Sequence, residues 1–274
     1  MKKILVCIVI YKKNVFDIDI LFLKEYENII SLFVYDNSPI AQSAPEVPNL
    51  FYEHDSLNSG VSRAYNQAYK KAKELGVDAL LLLDQDSKFS TTMLEKYFLL
   101  YEKYGKDYIY APIVCDENKT KVYSPAYLNH FVGKAQRFNE FGYKELYSLD
   151  GKSVINSGLM IPMAAFQKIG GYNEKLKLDF SDVYFIEKYK EINENIVLVD
   201  LYLEHTLSGD EGKDFAREYN RFRYYCSASR ELGLSLKKKV IWSPIRRLLR
   251  LILKYRMLSF IKIFYSYYLK GKEI

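Results

Sequence analysis

Three stretches of this chain, Ile4–Tyr11, Ile30–Tyr35 and Ala79–Leu83, are almost continuously apolar, and they constrain the fold more than any other feature. A strand with one wet face alternates apolar and polar residues. An unbroken run therefore implies a strand covered on both sides, as in a parallel sheet with helices above and below. Each run also falls far short of the ~20 apolar residues that a membrane-spanning helix needs. The start, Met1-Lys2-Lys3 followed by Ile4–Ile10, imitates a secretory leader. Its apolar core is too short, however, and ends at Tyr11-Lys12-Lys13 without a small-residue cleavage site, so it reads as a buried first strand.

Helical patterns separate the runs. A helical stretch extends to about Glu27, and Leu50–Glu53 forms a short third strand. Asn58-Ser59 can cap a helix whose residues Val61, Ala64, Tyr65, Ala68, Ala72 and Leu75 keep helical spacing until Gly76. Ala79–Leu83 is the fourth strand, Thr91–Tyr104 a helix and Tyr108–Val114 a strand, whereas 116–150 reads only as hairpins and loops. Asn156–Ile161 is expected to resume as a strand, Met163–Ile169 as a short helix closed by Gly170-Gly171, and Ile196–Leu203 as the last strand, leading to Glu204-His205. This alternation predicts an α/β, Rossmann-like, mostly parallel sheet with helices on both faces. Residues 1–236 are expected to form the main domain, in halves of about 1–115 and 116–236, and 237–274 a helical appendage.

The fourth strand ends in Asp84-Gln85-Asp86-Ser87, directly after Leu80-Leu81-Leu82-Leu83. Residues i and i+2 of a strand point the same way, so both carboxylates can converge on one hard cation where a buried strand reaches solvent. Ligands of open α/β sheets sit at such strand ends, and a divalent ion held by two acidic oxygens keeps waters and takes a phosphate-bearing substrate. Taken alone, the pair fits helix capping as well. Charge sharpens the picture. The chain of 274 residues carries a formal +6, but residues 237–274 hold eleven Lys or Arg against Glu273, so the rest is net negative. A globally basic, nucleic-acid-binding body is therefore not expected. The three cysteines, Cys7, Cys115 and Cys226, are far apart and form no CxxC pair, which suggests neither a disulfide framework nor zinc.

Further elements follow in a fixed order: Asp36 after the second strand, Asn58-Ser59-Gly60-Val61-Ser62-Arg63, the block Asn156-Ser157-Gly158-Leu159-Met160, Gly170-Gly171-Tyr172-Asn173-Glu174, Asp179-Phe180-Ser181-Asp182, and His205. Over roughly residues 4–210 this resembles the family 2 glycosyltransferases of the GT-A fold, and within them the bacterial rhamnosyltransferase-like branch, where LDQDS is a typical metal motif. The resemblance implies a divalent metal, Mn²⁺ or Mg²⁺, held by Asp84, Asp86 and His205. It implies donor contacts from Tyr11, Asp36, Asn58, Gly60, Arg63, Asp84 and Gln85, and Asp182 as the general base, with Asp179 one turn away as its substitute. Without it, Asp36 fits a turn-forming Asx residue equally well, Arg63 a solvated charge, and His205 a structural histidine. Two departures stand out: Ile10 replaces a usual polar residue, and Tyr184 stands where relatives carry an acid.

In the tail, Ser243-Pro244 is a good helix start. On a helical wheel Ile245, Leu248, Leu249, Ile252 and Leu253 fall opposite Arg246, Arg247, Arg250 and Lys254. Such a basic amphipathic helix, with Trp242 at its entry, suits an anionic membrane surface. Packing on the main domain or pairing in a homodimer would use the same pattern. The implied function is inverting, metal-dependent transfer of a sugar, L-rhamnose from dTDP-rhamnose, to a lipid-linked glycan precursor in polysaccharide synthesis. The enzyme would be cytoplasmic and peripheral to the inner face of the membrane. Alternatives are transfer from a UDP-hexose or UDP-galactofuranose, a nucleotidyltransferase, and a peripheral membrane scaffold.

Overall fold

The computed structural model describes residues 3–18, 26, 28–87, 91–116, 118–129, 134–138, 142–204, 215–238 and 240–274. The expected helical stretch before Glu27 lies largely outside these, as do Lys88–Ser90 and His205.

The first strands are β1 (Ile4–Ile10), β2 (Ile30–Asp36) and β3 (Leu50–His54). Helix α1 (Val61–Glu74) leads to β4 (Ala79–Asp84), and α2 (Thr91–Tyr104) to β5 (Tyr110–Cys115). The stretch 116–150, expected as hairpins and loops, supplies β6 (Val122–Asn129), β7 (Lys134–Phe138) and β8 (Leu146–Ser148), and β9 (Lys152–Ser153) follows it. Then come β10 (Met160–Pro162), α3 (Met163–Ile169), α4 (Ser181–Lys190) and β11 (Asn195–Glu204). Helices α5 (Phe215–Leu236), α6 (Trp242–Tyr255) and α7 (Ser259–Ile263) close the chain with a π-helical turn, Phe264–Leu269.

The main sheet runs β3-β2-β1-β4-β10-β5-β11-β8. The first four strands are mutually parallel, and β11 is parallel to β5. β10 enters antiparallel between β4 and β5. The continuous apolar runs are explained by how they divide. Leu5, Cys7, Phe33, Tyr35, Leu80 and Leu82 point into the core under α1, α3 and α4. Their neighbours Val6, Ile8, Leu32, Val34, Leu81 and Leu83 point into the core under α2. With a side-chain period of two, a strand can be apolar throughout only if both faces are dry.

Three local expectations are corrected. Asn156–Leu159 is a turn, not strand: Leu159 N–H closes onto Asn156 O at 2.9 Å, and Gly158 takes φ +75° so that its N–H reaches Leu82 O at 2.8 Å. Asn58 and Ser59 do not cap α1. Gly60 occupies that position without a side-chain bond, because Asp55 holds the loop by accepting from Leu57 N (3.0 Å) and Ser59 N (2.9 Å). Ser243 does not cap α6, which starts at Trp242; its hydroxyl is bonded to the Tyr225 phenol instead. The three cysteines are buried free thiols, and no helix among the described residues is long and apolar enough to cross a membrane.

The tail packs on the rest of the chain. Phe222 and Cys226 of α5 share a core with Leu248 and Leu251 of α6, Phe260 and Ile263 of α7, and Tyr267.

Candidate active site

The carboxyl ends of β1, β2 and β4 lie side by side, as their parallel register requires. Lys12 follows β1 with φ +54°, and its N–H bonds to Ser38 Oγ at 2.8 Å. Gln85 ties the β4 exit to the β1 exit: its Oε1 accepts from Tyr11 N at 3.0 Å, and its carbonyl oxygen accepts from Lys13 Nζ. Of the expected donor contacts, Tyr11 and Gln85 are thus adjacent and hold one another.

Asp36 is fully buried. One carboxylate oxygen accepts from Ser38 N at 2.8 Å, the Asx turn its sequence permits; the other accepts from Tyr52 OH at 2.7 Å and Gln42 Nε2 at 3.0 Å. Burial pushes this carboxyl up, but the bonds from Ser38, Tyr52 and Gln42 outweigh it and hold it below the ordinary range. Asp36 therefore braces the floor of the β2 exit with both oxygens already in use. Gln42 and Tyr52 were not legible as its partners, because nothing in a sequence pairs a loop residue with the next strand.

The strand argument for Asp84 and Asp86 needs correction. β4 ends at Asp84, and Gln85-Asp86 forms a turn closed by Ser87 N–H on Asp84 O at 3.0 Å, so the two acids do not alternate along one strand. Asp84 is half-buried and accepts a hydrogen bond from the Ser157 hydroxyl, while Asp86 is exposed. No group of three or more His, Cys, Asp or Glu able to hold a metal occurs among the described residues. His205, the expected third ligand, lies outside them. The donors that are present, two hard carboxylates with one of them open to water, fit Mg²⁺ or Mn²⁺, ions that keep several waters and bind through one or two carboxylates plus substrate phosphates.

Gly60 permits a close backbone approach, as expected, but the backbone is the protein's own. A Cβ there would sit 2.1 Å from Lys177 O, and φ is +94°. Val61 N–H donates to that same carbonyl at 2.8 Å. Beside it Ser62 Oγ donates to Leu176 O at 2.6 Å, and Asn66 bonds both Tyr172 N and Tyr172 O at 2.9 Å. One face of α1 is thus bolted to the 172–177 loop that feeds α4. Arg63 is exposed at the start of α1. Gly60→Ala is expected to lower the melting temperature by about 4–8 °C, since a left-handed backbone with a Cβ and the clash together cost at least ~2 kcal/mol. Gly76→Ala, at φ +63° with nothing within 4 Å, supplies the control. Equal shifts in the two variants, measured by thermal unfolding, would show that the Lys177 contact contributes nothing.

That loop delivers Asp182 to the first turn of α4. Its Oδ1 accepts from Val183 N at 2.7 Å. Burial, aided by the charge of Asp179, pushes its carboxyl up to about 6 even against the Val183 bond. The Tyr65 phenol, raised chiefly by burial, also feels both Asp84 and Asp182. The end of β4 and the start of α4 are joined through the 156–157 turn, Ser157 donating to Asp84 and Asn156 Nδ2 to Ser181 Oγ at 3.3 Å. Tyr172 stacks on Phe185 at 4.2 Å and donates to Asn156 Oδ1 at 2.8 Å, joining the same wall. Asp179 differs from Asp182. One of its oxygens accepts from Arg221 Nη2 at 3.1 Å, and the other is buried without a hydrogen bond. Tyr184, which departs from the expected acid, packs beside Leu176, Ala228, Leu232 and Val240.

Comparison with known proteins follows the same outline. A model of the family described as Glycosyl transferase family 2 matches residues 18–170. No curated protein matches significantly. Among solved structures, that of GalNAc-T7 with UDP, GalNAc and Mn²⁺ aligns with TM-score 0.54 at 13% identity, covering 97% of this chain and 56% of that one. This chain therefore spans little more than half that protein's length. Staphylococcus aureus TarS 1–349 aligns with TM-score 0.55 at 14% identity, and its complex with UDP-GlcNAc with 0.57 at 13%. Each alignment covers 97% of this chain, and 72% and 73% of those chains respectively. At such identity the likeness is one of fold.

Proposed function

Since the chain belongs to glycosyl transferase family 2, we propose that it moves a sugar from a nucleotide donor to an acceptor hydroxyl with inversion, between the β4 exit and the start of α4. The observation that carries this reading is that the 156–157 turn ties the two acidic elements together, Ser157 donating to Asp84 at the end of β4 and Asn156 Nδ2 to Ser181, next to Asp182, at 3.3 Å. Asp182, with a carboxyl poised at about 6, is the general base: it takes the acceptor's proton as the oxygen attacks the anomeric carbon. Asp179, engaged by Arg221, is the less available carboxylate and orients the loop. Asp84 and Asp86 would hold a divalent ion, with His205 as a further ligand, and that ion would neutralise the diphosphate leaving group. Tyr11, Gln85, Gly60, Asn58 and Arg63 border the donor side, and Asp36 fixes the shape of its floor.

Support for a metal and a nucleotide sugar comes from fold neighbours whose structures hold UDP with Mn²⁺ and UDP-GlcNAc. The branch resemblance in Asp84-Gln85-Asp86-Ser87 favours dTDP-rhamnose as donor, and the basic tail favours a lipid-linked saccharide as acceptor, with the enzyme at the inner face of the membrane. A thermal-shift screen of dTDP- and UDP-sugars with and without Mn²⁺ or Mg²⁺ tests this. Stabilisation by dTDP-rhamnose that requires metal is expected. Stabilisation by UDP-sugars alone would overturn the donor assignment, and none by any nucleotide sugar would overturn the function.

A further inference from the structure

α6 does not present the face that its sequence suggests. Packing on α5 buries Ser243, Pro244, Leu248 and Leu251. It also turns Arg247 inward, its guanidinium 4.3 Å from the Tyr225 ring centre and under the field of Asp179. The opposite side is left outward, and it is mixed rather than polar. Trp242, Leu249 and Leu253 are 47%, 56% and 79% exposed. Arg246 and Arg250 stand exposed among them, whereas Lys254, also exposed, turns aside to pair with Glu218 of α5 at 2.9 Å. Positions 242, 246, 249, 250 and 253 recur at helical spacing, so large apolar groups and cations share one stripe. The chain continues with Leu258 and Ile261, 69% and 45% exposed, and Lys262.

We propose that this outer face of α6, continued by Leu258 and Ile261, docks on an anionic lipid surface, with the leucines and Trp242 entering the headgroup boundary and the cations pairing with lipid phosphates. This deepens the reading of a lipid-linked acceptor and rests on it for its purpose, though not for its test. Charge selects the occupant. The core of a protein interface is depleted of charge, whereas here cations interrupt the leucines at every turn. Residues 237–274 carry a net +10, so two copies placed face to face would repel. A surface of anionic headgroups over acyl chains satisfies both kinds of side chain at once.

Trp242 is the chain's single tryptophan, so emission excited beyond the absorption band of the 26 tyrosines reports on this face alone. The full chain is expected to show a blue-shifted emission and to co-sediment with phosphatidylglycerol vesicles at low salt, much less with phosphatidylcholine vesicles, and less again at high salt. Leu249→Glu/Leu253→Glu is expected to weaken sedimentation by about tenfold or more, and Arg246→Gln/Arg250→Gln by a similar factor. Neither change touches the buried side, so melting temperature and transfer to a soluble acceptor analogue should hold. An unshifted emission with equal sedimentation of all forms overturns the proposal. So does sedimentation velocity showing a dimer that the Leu249→Glu/Leu253→Glu variant dissociates. Vesicle binding without any nucleotide-sugar turnover would overturn the catalytic reading and leave this surface standing.

Discussion

Asp182→Asn is expected to lower turnover by about 10² or more with donor affinity nearly unchanged, because only the transition state requires the proton to be accepted. The same change should stabilise the protein at neutral pH. The carboxyl stands at about 6 in the fold against an ordinary 3.8, so the folded state binds its proton more tightly than the unfolded chain does. Below pH 3.8 both states are protonated and Asp182 costs nothing. The cost grows as pH rises toward 6 and is complete above it, on the order of 2 to 3 kcal/mol. Asparagine removes that cost while keeping an oxygen for Val183 N. Turnover measured against pH should climb through about 6 in the native enzyme as the base loses its proton. An unchanged turnover in Asp182→Asn, with loss instead in Asp179→Asn, would exchange their roles.

Asp86→Ala is expected to abolish metal-dependent donor binding without moving the melting temperature, since the side chain is exposed. Asp84 calls for a gentler change. Alanine there would strip the Ser157 hydroxyl of its acceptor, a loss of about 1 to 3 kcal/mol for a buried group. Asp84→Asn retains that oxygen and removes only the charge. Calorimetric titration of the nucleotide sugar with and without Mn²⁺ should show the metal's contribution lost in Asp86→Ala and Asp84→Asn alike. Donor affinity that still rises with metal in both would remove the ion from this end of β4.

The two-sided cores were readable because their cause is local. Ile4–Ile10, Ile30–Tyr35 and Ala79–Leu83 carry no polar residue that a wet face would demand, apart from Ser31, and period two then sends alternate residues to two dry layers. Helices Thr91–Tyr104 and Met163–Ile169 were equally plain: the second stops where Gly170 takes φ +86°. The ordered motifs placed Asp36, Asp84 and Asp182 at the ends of elements, where chemistry can reach solvent. What the side chains do there depended on partners far along the chain. Asp36 spends one oxygen on Ser38 and the other on Gln42 and Tyr52, and Asp84 accepts from Ser157. Gly60 makes room for the backbone of Lys177, more than a hundred positions away in sequence.

The tail shows the same division most clearly. Its hydrophobic periodicity determined that residues 242–255 form an amphipathic helix, because that follows from spacing along one chain. Which side would be buried was decided by tertiary structure alone. Tyr225 and Asp179 attract Arg247 inward, the α5 core accepts Leu248 and Leu251, and Leu249 and Leu253 are left outside. Sequence sets what each residue needs; only the packed chain determines which neighbour supplies it.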